Sequence, residues 1–215
     1  MAVAAKICGL TDPAAVAAAV AGGARYGGFV FYPPSPRSVS PAAAGALATG
    51  LGARVTAVGV FVDPGDDLLA EVLTHAPLGL IQLHGAETPE RVAAVRARFA
   101  IPVIKAIAIA EADDLARAES YQPVADWLMF DAKPPKTMAG GLPGGNALAF
   151  DWRLLAGLDW RRPWMLSGGL KEDNLAEAVA ISGARAVDVS SGVEDRPGTK
   201  SPARIGRFLD LARTL

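Results

Sequence analysis

The stretch PVIKAIAIAEADDLARAESYQPVADWLMFDA, residues 102–132, decides the fold. Its two ends, PVIKAIAI and DWLMFDA, are apolar almost throughout and do not alternate with polar residues. A strand with one wet face alternates. A strand covered on both faces does not, and that is the habit of parallel sheets. The residues between the two ends are rich in Ala, Leu, Arg and Glu at helical spacing, so the unit reads strand, helix, parallel strand.

The same rhythm runs outward in both directions. AAKIC (4–8), YGGFVFY (26–32), RVTAVGVFVD (54–63) and LGLIQLHG (78–85) precede it, and RPWMLSGG (162–169) and ARAVDVSSG (184–192) follow it. A helix-like segment comes after each, from DPAAVAAAVAGG (12–23) to SPARIGRFLDLARTL (201–215). Eight such units in 215 residues predict a closed (β/α)8 barrel of eight parallel strands, with residues 1–215 as one domain. The alternative, a doubly wound open sheet, usually has fewer strands in this length. KPPKTMAGGLPGGNALA (133–149) is too rich in Gly and Pro for regular structure, and it is expected to cover the active site.

Composition narrows the function. A net charge of −1 gives no electrostatic case for nucleic acid or an anionic membrane. The single cysteine, Cys8, cannot form an internal disulfide, which fits a reducing cytoplasm. One cysteine and two isolated histidines, His75 and His84, exclude a thiolate or histidine-rich metal site. Lys6 interrupts the short apolar start, so MAVAAKICGL is a poor secretion signal. No apolar run reaches the ~20 residues that span a bilayer.

In such a barrel the active site lies at the C-terminal ends of the strands. Those ends carry Cys8, Asp63, His84, Asp131, Ser167-Gly168-Gly169 and Ser190-Ser191-Gly192, and PPSPRSVS after strand two brings Arg37 to the same rim. Each has a bland and a functional reading. Cys8 is either an inert buried thiol or a thiolate. For the thiolate, Lys6 on the same strand face and the following helix N-terminus would lower its pKa. Asp131 is either an ionised turn cap or a carboxyl raised by apolar neighbours into the range of a general acid. Arg37 is a solvated charge or a fork for a carboxylate. The glycine turns after strands seven and eight are together where a phosphate often sits on backbone N–H groups. His84 reads as a hydrogen-bonded strand-end histidine or a substrate contact, and Asp63 and Asp188 stay open between structure and substrate hydroxyls.

The set KICG, GFVFYPPSPR, GVFVD, IQLHG, FDAK, LSGGL…DN and VDVSSGVE…PG.K, spread over essentially the whole chain, resembles the phosphoribosylanthranilate isomerase family of tryptophan biosynthesis. The resemblance implies a (β/α)8 barrel. It also implies a cofactor-independent, metal-free Amadori rearrangement of N-(5-phosphoribosyl)anthranilate to 1-(2-carboxyphenylamino)-1-deoxyribulose 5-phosphate. The family's base falls on Cys8 and its acid on Asp131. The carboxylate-binding arginine falls on Arg37, and the phosphate turns fall on Gly168, Gly169, Ser190, Ser191 and Gly192. Ser38 stands where many members carry an aromatic residue. The expected partner is a small phosphorylated molecule, and the expected assembly is a monomer or homodimer.

Three other readings fit parts of the chain. The related isomerase of histidine biosynthesis handles two phosphates and resembles this protein in fold, but it uses an aspartate at the position of Cys8. A non-catalytic phosphosugar-binding barrel is disfavoured by an intact Cys8 and Asp131. A thiol redox protein would need an external partner for its lone cysteine.

Overall fold

The structure is a computed structural model and describes residues 2–133, 144–145 and 148–215. Eight parallel strands close into a barrel in sequence order: β1 Ala4–Cys8, β2 Tyr26–Phe31, β3 Thr56–Phe61, β4 Leu80–Leu83, β5 Val103–Ile109, β6 Trp127–Ala132, β7 Trp164–Leu166 and β8 Ala186–Val189. Closure pairs β1 with β8 in parallel, with Lys6 opposite Asp188. Among the described residues the α-helices are α1 Pro13–Ala21, α2 Pro41–Leu51, α3 Asp66–His75, α4 Pro89–Phe99, α5 Ala112–Tyr121, α6 Glu172–Ser182 and α7 Pro202–Thr214. None is long and apolar enough to cross a membrane.

Three helix starts are spelled out locally. Asp12-Pro13, Ser40-Pro41 and Thr88-Pro89 each place a capping oxygen before a proline at the first helical position. The side chains accept from the N–H groups of Ala15, Ala43 and Arg91. Each such cap is worth about 1 kcal/mol.

The strand residues divide as their double burial requires. Ile7, Phe29, Phe61, Ile81, Leu83 and Phe130 face the helices in the main core, all fully buried. Tyr26, Val58, Leu80, Ile104, Met129 and Met165 fill the barrel interior. Burying side chains of this size contributes about 1.5–3 kcal/mol each, which makes the barrel rigid enough to hold polar groups above it.

The structure departs from the expected pattern in two places. The unit after β6 has no α-helix among the described residues; a short 3-10 turn, Trp152–Leu155, stands there. The expected strands also stop earlier. Asp63 has φ +46°, and Gly168 and Gly169 have φ +91° and +62°, so the chain leaves extended geometry before the segments RVTAVGVFVD and RPWMLSGG end. The expected active-site cover falls mostly on residues 134–143 and 146–147, which lie outside the described residues.

Candidate active site

A pocket opens at the C-terminal ends of the strands. Cys8, Arg37, His84, Asp131, Gly168, Gly169, Asp188, Ser190 and Ser191 all line it. With Val60 and Val62 of the third unit, residues from seven of the eight βα units therefore converge on it. Gly192 does not line the pocket; it lies behind the rim against the carbonyl of Leu170. Asp63 is also outside it. Its carboxylate accepts from Ala86 N–H at 2.7 Å, and its own N–H donates to Glu87 at 2.8 Å, which is a turn-holding role.

Beneath Cys8 lies a buried polar chain. Lys6, fully buried, donates to Asp188 Oδ1 at 2.8 Å, and Ser167 donates to Asp188 Oδ2 at 3.1 Å. Both Asp188 oxygens thus have protein partners. Lys6 and Cys8 share the interior face, as the spacing predicts. They flank the bare Cα of Gly28, where a Cβ would lie 3.1 Å from Lys6 Nζ and 3.2 Å from Cys8 Sγ. Burial opposes the Lys6 charge, but Asp188 and Cys8 outweigh it and hold the ammonium above the ordinary lysine range.

The expected lowering of the Cys8 pKa is corrected here. Burial pushes the thiol up, and the Lys6 ammonium pulls it down without overcoming that cost. The charge effect was read with the right sign, but desolvation is larger.

Asp131, at the end of β6, is 4% exposed. Its Oδ1 accepts from Ala132 N–H at 2.9 Å, and its Oδ2 lies 3.0 Å from His84 Nε2. His84 is oriented in turn by Gln82, whose Nε2 is 2.7 Å from His84 Nδ1. An amide nitrogen only donates, so Nδ1 accepts and the ring proton sits on Nε2, directed at Asp131. Gln82 is fully buried, and its Oε1 has no hydrogen-bond partner among the described residues. Sequence reasoning missed Gln82, although its position two residues before His84 on β4 was visible.

Arg37 is not a solvated charge. It is 5% exposed, and Glu194 takes its Nε and Nη2 at 2.7 and 2.9 Å. Glu194 also accepts from Lys200 Nζ at 2.7 Å. Burial pushes the Glu194 carboxyl up, but the bonds from Arg37 and Lys200 outweigh it and keep it below the usual range. Burial holds the Lys200 ammonium below the ordinary lysine range, although Glu194 opposes the shift. Glu194 and Lys200 stand in the motif VDVSSGVE…PG.K, but neither was given a role from sequence. The signal was the Pro197-Gly198 turn, which folds β9 (Glu194–Arg196) against β10 (Thr199–Lys200) and makes them neighbours.

A thiol and a carboxyl face one cavity, with a guanidinium and two glycine- or serine-bearing turns around them. That set suits acid–base chemistry on a small molecule bearing two anionic groups. The family model for N-(5'-phosphoribosyl)anthranilate (PRA) isomerase matches residues 5–211.

The chain belongs to the PRA isomerase family.

It catalyses the PRA isomerase reaction of tryptophan biosynthesis. Among its PRA isomerase relatives, the N-(5'-phosphoribosyl)anthranilate isomerase of Rhodospirillum centenum is 61% identical, over 98% of both chains. The crystal structure of phosphoribosyl anthranilate isomerase from Thermotoga maritima superposes with a TM-score of 0.88 at 36% identity, covering 99% of this chain and 100% of that one. Another solved structure is of a phosphoribosyl anthranilate isomerase in complex with reduced 1-(o-carboxyphenylamino)-1-deoxyribulose 5-phosphate. It has a TM-score of 0.84 at 35% identity and covers 99% and 100% of the two chains.

Proposed function

We propose that Cys8 is the general base and Asp131 the general acid of the PRA isomerase reaction. Arg37 binds the ring carboxylate, and the turns Gly168–Gly169 and Ser190–Ser191, backed by Gly192, bind the phosphate. The observation that carries this reading is that Cys8 and Asp131, from β1 and β6, open onto the same pocket as Arg37 and both turns.

Asp131 gives its proton to the ribose ring oxygen as the C1′–O bond breaks. The anilino nitrogen lone pair becomes the C1′=N bond of a Schiff base cation. That cation acidifies C2′–H, and the Cys8 thiolate takes the proton. The C2′–H electrons form C1′=C2′ and return a pair to nitrogen. The resulting enolamine becomes the ketose as C1′ gains a proton and O2′ loses one, so the proton count closes without a cofactor. His84 holds Asp131 through its Nε2–H. Asp188 acts through Lys6 and needs no substrate hydroxyl.

A thiol with its pKa raised by burial is scarce as thiolate at neutral pH but a stronger base once formed. The Lys6 ammonium makes that thiolate accessible. The same reading keeps the enzyme in a reducing cytoplasm, where a catalytic thiol stays free, acting on a small phosphorylated substrate as a monomer or homodimer.

The deciding test is Cys8→Ala, followed by product formation and by exchange of the C2′ hydrogen with solvent. Loss of the base should lower kcat at least ~10²-fold and abolish exchange. Activity within a few-fold of the parent would overturn the assignment.

A further inference from the structure

The guanidinium of Arg37 has three donor-bearing nitrogens, and the protein has already used one edge of it. Nε and Nη2 donate to the two oxygens of Glu194 at 2.7 and 2.9 Å. Nη2 also reaches Gly145 O at 3.4 Å, and Nη1 has no hydrogen-bond partner among the described residues. An arginine meant only to brace the fold would be neutralised by such a bidentate acid. Here it is not, because Lys200 donates to the same Glu194 oxygen at 2.7 Å. All three groups are buried, at 5%, 6% and 3% exposure. Two cations around one anion leave a buried excess of one positive charge beside the pocket. Such an excess is costly unless an anion completes it.

We propose that Glu194 is the positioning residue of the substrate-carboxylate site. It fixes the plane of the Arg37 guanidinium so that the Nη1 end is presented to the ring carboxylate, and Lys200 restores the charge that Glu194 removes. The inference rests on the reading of Arg37 above. Lys200 extends the device to the phosphate side. Its ammonium also donates to Ser190 O at 2.9 Å and Ser190 Oγ at 3.2 Å, and Ser190 Oγ donates to Cys8 O at 3.1 Å. The carboxylate site, the strand-eight turn and the end of β1 thus share one buried network.

The test uses two ligands and titration calorimetry, so it does not depend on turnover. One is the reduced product, 1-(2-carboxyphenylamino)-1-deoxyribitol 5-phosphate. The other is the same molecule without the ring carboxylate. Glu194→Gln keeps the shape but sets an amide donor against Arg37 or Lys200. It should weaken the carboxylate ligand at least about tenfold more than the descarboxy ligand, whose phosphate meets the Ser190 turn that Lys200 also holds. Glu194→Asp, which keeps the charge on a shorter arm, should recover part of the loss and serves as the decisive variant if Glu194→Gln does not fold. Equal weakening of both ligands by the Glu194 variants would make Glu194 a structural brace and overturn the proposal. Arg37→Ala separates the two failures. If it too weakens both ligands equally, the carboxylate reading of Arg37 is what fails. If it is selective and Glu194→Gln is not, only the positioning role fails.

Discussion

Replacing Asp131 with Asn separates chemistry from packing at this site. The amide keeps the size of the carboxylate, and its oxygen can still accept from Ala132 N–H, now at 2.9 Å. Its nitrogen then faces His84 Nε2, now 3.0 Å from Asp131 Oδ2. With Gln82 donating to Nδ1, that Nε2 carries a proton, and two donors would oppose each other. Relief requires the ring proton to move to Nδ1 and the Gln82 amide to turn over. The unpartnered Gln82 Oε1 allows this, because it can then accept from Nδ1–H. The turn gives up the weak contact of Gln82 Nε2 with Met129 sulfur at 3.4 Å and leaves that buried amide nitrogen without an acceptor among the described residues. The stability cost is therefore about 1–3 kcal/mol, the scale of one buried unsatisfied donor, or a fall in Tm of roughly 2–12 °C for a chain of this size. The catalytic cost is larger. Without the ring-oxygen proton, kcat should fall ~10²–10⁴-fold, about 3–5 kcal/mol at 1.36 kcal/mol per decade. Product is measured by chromatographic separation from substrate, and folding by thermal unfolding of the same preparation. A kcat within about fivefold of the parent, in a variant that unfolds near the parental temperature, would refute Asp131 as the acid.

Two further predictions test the electrostatics. Lys6→Met removes the cation that opposes burial at Cys8 and leaves Asp188 unneutralised nearby. The pH profile of iodoacetamide alkylation should then move upward by ~1–3 units, and an unmoved profile would show that Lys6 does not support the thiolate. The second concerns acid stability. Glu194 has a depressed folded-state pKa, so its contribution is complete above its unfolded value of about 4.3 and disappears as pH falls through the lower folded value. The urea midpoint should drop below that pH and drop less steeply in Glu194→Gln. Parallel curves would remove Glu194 from the acid transition.

Much of the fold was legible because its causes are local. Double-faced burial writes itself as unbroken apolar runs, and Asp-Pro, Ser-Pro and Thr-Pro announce helix starts within two residues. Even the sharing of a face by Lys6 and Cys8 needed only the two-residue period of a strand. The 3-10 turn that replaces the expected helix near Trp152 was not legible. The sequence around it is as apolar as a helix, and only its packing decides.

The site was legible as a rim but not as a set of pairs, and the reason is sequence separation. Arg37 and Glu194 are 157 residues apart, and Lys6 and Asp188 are 182 apart. Only closure of β1 on β8, and the β9–β10 hairpin beyond it, brings these partners within 3 Å of one another. Closure also sets the burial of each group, and burial decides which electrostatic effect wins. At Cys8 a cation two residues away was visible, but the loss of water around the thiol was not, and the second effect is larger. At Glu194 the order reverses, because two cations face one buried carboxylate and outweigh its desolvation. The same physics therefore gives a raised thiol and a depressed carboxyl within one pocket wall. The difference lies in how many opposite charges the closed barrel delivers to each.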